Sequence, residues 1–279
     1  MKLGIFTVCV PEYTPEEIIS LAAEIGFDGL EWRVFEDTGD RAHPTFWNGN
    51  RTSLSAQDVL SRAPELLEKA ARCKVEMPTL GAYITCFAPE AVEEAFSAAR
   101  ALHARNVRVN TASFQASDSY AERFEATRKA YREVEALARR YGVRALIETH
   151  PGLVTPSSVS ARAVLEGLSP EYTGIAWDPG NQIREGLERV PMALSAMGEY
   201  LAEVHVKNSI ALPSYNRNGS LEWRIETCQL QLGMVNWPEV VNALKKDHDD
   251  LYLMLEDFTD IGDRKAQLES DFRYLKSLF

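Results

Sequence analysis

Cysteine is scarce, and none of the four present (Cys9, Cys73, Cys86 and Cys228) stands in a CxxC pair. That spacing argues against a disulfide framework or a structural zinc site and fits reduced thiols in a cytoplasmic protein. Positive charge is short too: 30 Lys and Arg face 41 Asp and Glu, for a net charge of −11. General affinity for nucleic acid or an anionic membrane needs a basic surface, so neither is an expected partner. No apolar run approaches the roughly 20 residues of a membrane helix. The opening MKLGIFTVCV sets Lys2 ahead of an apolar run, as a signal peptide does. The run is too short, however, and PEYTPEE follows in place of a small-residue cleavage site, so the segment reads as a first strand. No GxGxxG or P-loop follows that strand, where TVCVPEY stands instead. Linker-like stretches, low-complexity segments and strong internal repeats are also missing.

What is present is an alternation. Apolar runs that read as strands are LGIFTV, GLEW, EMPTLGA, VRVN, VRALIE, GIAW, LAEVHV and LYLMLE, beginning at residues 3, 29, 76, 107, 143, 174, 201 and 251. Between them lie segments with helical spacing, among them TPEEIISLAAEIG, SAQDVLSRAPELLEKAARC, PEAVEEAFSAARALHA, SYAERFEATRKAYREVEALARRYG and WPEVVNALKKD. Thr14 is a plausible N-cap with Pro15 at the first helical position, and Gly26 and Gly142 mark helix stops. Eight strands alternating with helices imply parallel pairing through right-handed crossovers. Residues 1–279 are therefore expected to form one domain, an α/β fold built as a single (β/α)8 TIM barrel with a parallel eight-stranded core. Two connections, at about 36–55 and 208–236, are long for this architecture and read as lids or substrate-binding elements.

In such a barrel the chemistry stands at the C-terminal ends of the strands. The fifth strand ends LIETH with Glu148 and His150. The sixth ends IAWDPGN with Asp178, the seventh carries His205 and Lys207 in AEVHVKN, and the eighth ends LMLEDF with Glu256. Residues two apart on a strand share a face, so Glu148 should point with His150 and His205 with Lys207. Each residue alone has an ordinary explanation: a solvated strand end, an Asx turn before Pro179-Gly180, a core histidine between valines. Four in succession on consecutive strands are harder to assign to chance. Three carboxylates and an imidazole around one point make a divalent-metal site, with Mn2+ or Mg2+ favoured by the oxygens and Co2+ or Zn2+ admitted by the histidine.

The order Glu, Asp, His, Glu on strands five to eight resembles the xylose isomerase-like TIM barrel superfamily, the sugar phosphate isomerase/epimerase family. FDGLEWR at strand two, HVKN at strand seven and LGMVNWPEVVNAL before the following helix extend the likeness over nearly the whole chain. The resemblance implies a metal-dependent isomerase or epimerase of a small sugar or hydroxy-keto compound. Proton transfer would pass through a metal-bound cis-enediolate, with Glu148 and Glu256 acting both as ligands and as acid/base residues, and Asp178 and His205 as ligands only. His150, Lys207, Arg33, Tyr83 and Arg224 are the candidate substrate-binding residues, with Glu31 placed to orient Arg33; Trp47 and Arg51 sit on a loop near the mouth. The alternative is a dehydratase on the same scaffold, similar to dehydroshikimate or inosose dehydratases. The chain departs from the ketose epimerases at Asn181 and Val154, where they carry histidine and glutamate, so a close copy of their substrate is not expected. A three-zinc nuclease needs more histidines than His150 and His205 at the mouth, since His43, His103 and His248 are placed elsewhere. The expected partner is a small molecule, and a homo-oligomer paired through the helices is left open.

Overall fold

The computed structural model describes residues 1–260 and 262–279. Its strands are β1 (Lys2–Phe6), β2 (Gly29–Val34), β3 (Glu76–Ala82), β4 (Asn106–Arg108), β5 (Arg144–Glu148), β6 (Thr173–Trp177), β7 (Leu201–Val206), β8 (Ser209–Tyr215), β9 (Leu221–Thr227) and β10 (Tyr252–Leu255). Eight of them close a parallel barrel in the order β1-β10-β7-β6-β5-β4-β3-β2. The β1–β10 ladder, Lys2 to Ile5 on Tyr252 to Leu255, joins first strand to last. The expected eight strands are all there, and β3 and β7 match to the residue.

Helices surround the barrel: α1 (Pro15–Ile25), α2 (Ala56–Cys73), α3 (Pro89–Ala101), α4 (Tyr120–Tyr141), α5 (Ser158–Val164), the short buried α6 (Pro179–Gln182) at the strand ends, α7 (Val190–Met197), α8 (Trp237–Leu244) and α9 (Arg264–Ser277). Local chemistry sets their ends. Thr14 and Glu17 form a capping box at α1, Pro15 opens it, and Gly26 closes it at φ +109°. Ser55 and Asp58 repeat the box at α2. The third helix ends earlier than expected. His103 lies past it at φ +56°, inside the turn that feeds β4, because the chain must reverse to rejoin the barrel.

The connection after β7 departs most from expectation. It holds an antiparallel ribbon, β8 on β9, running from Ser209↔Thr227 to Tyr215↔Leu221. Asn208, the last residue of HVKN, ties the ribbon to the barrel by donating from Nδ2 to the carbonyls of Leu230 (2.7 Å) and Val235 (3.0 Å). Gly233 makes room for it, since a Cβ there would lie 2.1 Å from Asn208 Cγ. The other long connection, 36–55, is irregular, organised by Asp37, whose carboxylate accepts from the backbone of Gly39, Gly49 and Asn50. No helix among the described residues is long and apolar enough to cross a membrane, and the four cysteines are free thiols.

Branched apolar residues usually fill the interior of such barrels. Here Glu31, Thr79, Arg108, Glu148, Glu203 and His205 are all buried in it. That polar column positions the site.

Candidate metal centre

Adjacent strand ends place the candidate ligands at one height. Glu148 closes β5 opposite Ala176, Asp178 follows β6, His205 lies in β7 opposite Met254, and Glu256 follows β10. One ligand atom from each of the four lies within 4.8 Å of the others, and all four residues are buried. His205 Nδ1 is the hub, 3.3 Å from Glu148 Oε1, 3.7 Å from Glu256 Oε2 and 3.8 Å from Asp178 Oδ2. Asp178 divides its labour: Oδ1 accepts from the Asn181 backbone at 2.8 Å and caps α6, while Oδ2 turns to the cluster. It is thus both a turn-former and a candidate ligand.

Three buried carboxylates need compensating charge. Arg108 Nη1 is 2.8 Å from Glu148 Oε2. Lys207 Nζ is 2.7 Å from Asp178 Oδ2 and 2.5 Å from Glu256 Oε2. Burial alone would raise the Glu148 carboxyl, yet Arg108, helped by His205, holds it well below the usual range. Burial wins at Asp178, which is pushed up to about 6 despite Lys207. Burial would depress the Lys207 ammonium, but Asp178 and Glu256 together hold it above its ordinary value. At His205 burial is likewise overcome, by the charge of Glu31 with Glu148 and Glu203 close beside the ring, and the imidazole sits well above the usual histidine range.

Above the cluster opens a cavity of about 520 Å³. Its wall includes Trp47, Tyr83, Arg108, Asn110, His150, Asn181, Arg184 and Phe258, and its floor Glu148, Lys207 and Glu256. A larger hollow of about 650 Å³ lies at the opposite end of the barrel, lined by Lys2, Met77, Arg105 and Arg144. It lies at the end from which barrel strands start, remote from the titratable cluster.

Of the residues expected at substrate, His150, Lys207 and Tyr83 line the cavity. His150 is exposed at the rim with Nδ1 2.7 Å from the Pro151 carbonyl, whereas Glu148 is buried. Lys207 is committed to two carboxylates. Tyr83 lies beneath the Arg108 guanidinium, 4.4 Å from ring centroid to Cζ. Two residues are placed otherwise. Arg33 spends its guanidinium on Asp37 (2.9 Å), Ser53 (2.5 Å) and the Trp47 carbonyl (3.4 Å), so it anchors the 36–55 loop and lines no part of the cavity. Glu31 does not orient it; Glu31 faces His205 across the barrel at 3.0 Å. Arg224 is exposed on β9, where it pairs with Glu226 at 2.8 Å, because the ribbon carries it away from the mouth. Arg51, on the loop, donates to the Glu12 carbonyl.

Arg108, Arg184 and Glu203 were not foreseen at the site, and Glu31 was expected there only as a partner of Arg33. Arg108 had a signal: in VRVN it alternates with Val107 and Val109, and a charge at the inward-facing step of a barrel strand must meet a partner. Asn181, where the ketose epimerases carry histidine, donates to Glu148 Oε1 at 3.2 Å and to the Thr149 carbonyl at 3.3 Å. Val154 is fully buried.

The four residues fit a divalent cation. His205 Nδ1 is buried and makes no hydrogen bond, and Asp178 Oδ2 is buried with only the Lys207 ammonium against it, though both turn into the cluster. The donor set, three carboxylate oxygens and one imidazole nitrogen, suits Mn2+, Mg2+, Co2+ or Zn2+.

Comparison with known proteins identifies the family and the fold. Residues 19–278 match the family model described as xylose isomerase-like TIM barrel, and the chain belongs to that family. The fold is similar to that of the probable 3-DHS dehydratase AsbF from Bacillus anthracis (19% identity, 99% of each chain, TM-score 0.75). It is also similar to the 3-keto-D-glucoside 4-epimerase YcjR from E. coli (14% identity, 99% of each chain, TM-score 0.74). A third similar structure is the IOLI protein with a bound zinc atom (14% identity, 100% of this chain and 96% of that one, TM-score 0.74). A sequence search of curated proteins finds no match.

Proposed function

We propose that this xylose isomerase-like barrel is a divalent-metal-dependent isomerase or epimerase of a small sugar or hydroxy-keto compound. It is read as one domain over residues 1–279, with Glu148, Asp178, His205 and Glu256 as the metal ligands. The observation that carries the reading is the convergence of three buried carboxylates and His205 Nδ1 within 4.8 Å at the floor of an open cavity. When bound there, a divalent ion supplies Lewis acidity toward a carbonyl oxygen, which acidifies the neighbouring carbon–hydrogen bond.

The chain's own residues supply the proton handling. Arg108 keeps Glu148 ionised, so this carboxylate starts the cycle able to accept a proton at one wall. Glu256 follows β10, on another side of the cluster from Glu148, and its Oε2 accepts from Lys207 Nζ, so an ammonium proton stands beside it at that wall. Two acid/base groups on different walls are what removal from one face of a substrate and return to another require. The Phe258 and Trp47 rings cover one side of the cavity, 5.1 Å apart between centroids, and shield it from water.

Charge favours a second reading. Around the cavity floor three carboxylates face Arg108 and Lys207, so a divalent ion would turn a formal −1 into +1. Arg184 and His150 also line the wall, with no ion-pair partner among the described residues. That surplus suits a substrate carboxylate and supports a metal-dependent dehydratase, an activity that one of the similar structures carries in its name.

The test is elemental analysis of the wild type and of His205→Ala prepared identically. About one divalent ion per chain, lost in the variant, is the expected result. No metal after incubation with Mn2+, Mg2+, Co2+ and Zn2+ in turn defeats the reading. Loaded enzyme in deuterium oxide then separates the two reactions: solvent deuterium enters a ketose in the isomerase, and product mass falls by one water in the dehydratase.

A further inference from the structure

Below His205, away from the cavity, lie two carboxylates that the proposed reaction does not use. Glu31 and Glu203 are fully buried. Glu31 Oε2 is 3.0 Å and Glu203 Oε1 3.5 Å from His205 Nε2. Glu31 Oε1 and Oε2, Glu203 Oε1 and His205 Nε2 are all buried and meet no hydrogen-bonding partner among the described residues other than the close approach they make to one another. Glu203 is pinned through its other oxygen by Thr79 Oγ1, which in turn accepts from Asn106 Nδ2 at 3.3 Å. The backbone is shaped for this arrangement. The β2–β3 ladder slips its register between Gly29 and Glu31, and the β6–β7 ladder slips where Leu201 and Glu203 pair. Such irregularities re-aim side chains. Gly81 leaves the space that Glu31 fills, since a Cβ there would lie 2.6 Å from Glu31 Oε1.

Two carboxylates sunk in a barrel core are expensive without a partner, and His205 is the partner they share. We propose that Glu31 and Glu203 are positioning residues: they accept from His205 Nε2–H, fix the ring against rotation and so aim Nδ1 at Glu148, Asp178 and Glu256. A metal-bound histidine with its second nitrogen held by a carboxylate is a more basic and better oriented ligand. The inference rests on the reading of His205 as a metal ligand.

The experiment measures Zn2+ affinity by calorimetry and the imidazole nitrogens by 15N NMR of histidine-labelled, Zn2+-loaded protein. The proteins are wild type, Glu31→Leu and Glu31→Gln. In the leucine variant the Zn2+ Kd should rise about 10- to 100-fold, and the slowly exchanging Nε2–H signal of the wild type should disappear. The glutamine variant keeps an acceptor and should fall between the two. A leucine variant with unchanged Kd and a persistent Nε2–H signal overturns the inference. Should it not fold, the isosteric double variant Glu31→Gln, Glu203→Gln decides: a Kd raised at least threefold with a moved Nε2–H signal supports the inference, and both unchanged overturn it. Wild-type protein that binds no Zn2+ defeats the metal reading itself, so the two failures are distinguishable.

Discussion

Replacing Arg108 by methionine isolates the charge balance beneath the cavity. The perturbation removes the guanidinium 2.8 Å from Glu148 Oε2 while an unbranched side chain stays between the Tyr83 and Phe6 rings, which lie 4.4 and 5.4 Å from the Arg108 Cζ. Breaking a buried ion pair from one side costs about 3–5 kcal/mol, because the other charge is left without compensation. Glu148 keeps Asn181 Nδ2 at 3.2 Å and His205 Nδ1 at 3.3 Å, which sets the expected loss near the low end, about 3 kcal/mol. For a chain of this size that corresponds to a fall of roughly 6–9 °C in Tm. The assay is thermal unfolding of chelator-treated wild type and variant at pH 7 and at lower pH. Because Arg108 holds the Glu148 carboxyl below its unfolded value, the stabilisation is present above the ordinary carboxylate range and is lost as pH falls through the depressed folded value. The gap between the two proteins should therefore close on acidification. A fall in Tm below about 2 °C at pH 7, or a gap that stays constant down to pH 3, would refute the electrostatic argument.

Two predictions concern supporting structure. Burial and the nearby Asp257 push Asp271 up to about 8, so this carboxyl favours the folded state when protonated and opposes it as pH climbs from the unfolded value towards 8. Asp271→Asn should gain roughly 2 kcal/mol at pH 8 and flatten stability between pH 4 and 8, and urea titrations with the same pH slope in both proteins would contradict this. Gly81→Ala would place a Cβ 2.5 Å from Phe6 Cε2 and 2.6 Å from Glu31 Oε1, and overpacking there should cost about 1–3 kcal/mol in chemical denaturation. An unchanged midpoint would show that Phe6 and Glu31 yield freely.

The barrel was legible because its strands are buried on both faces and its helices carry local stop and start chemistry. EMPTLGA and LAEVHV are short, largely buried runs with marked ends, interrupted by single polar residues, and they became β3 and β7 without adjustment. The helices missed were those with weak or short patterns. The α5 stretch Ser158–Val164 has only 7 residues, and α9 shows little one-sidedness along Arg264–Ser277. The β8–β9 ribbon did carry a cue: Asn218-Gly219 sits between two alternating runs, with Gly219 at φ +79°, but Pro213 and the exposed Glu222, Arg224 and Glu226 weakened the strand signal. At the site, Glu148, Asp178, His205 and Glu256 could be named because each ends or interrupts an apolar run, and strand order alone brings such residues to one rim. Glu203 was readable in principle, since it lies two residues before His205 on β7 and shares its face, but the direction of Glu31 depends on a register slip that no local pattern announces. Arg224 failed for the converse reason: its cationic type fitted a mouth, but a ribbon that leaves the barrel decides where it goes. Residue type proposes the chemistry, and closure of the sheet decides which side chains face one another. The deepest part of the polar column, Glu31 beneath His205, is therefore where sequence informs least.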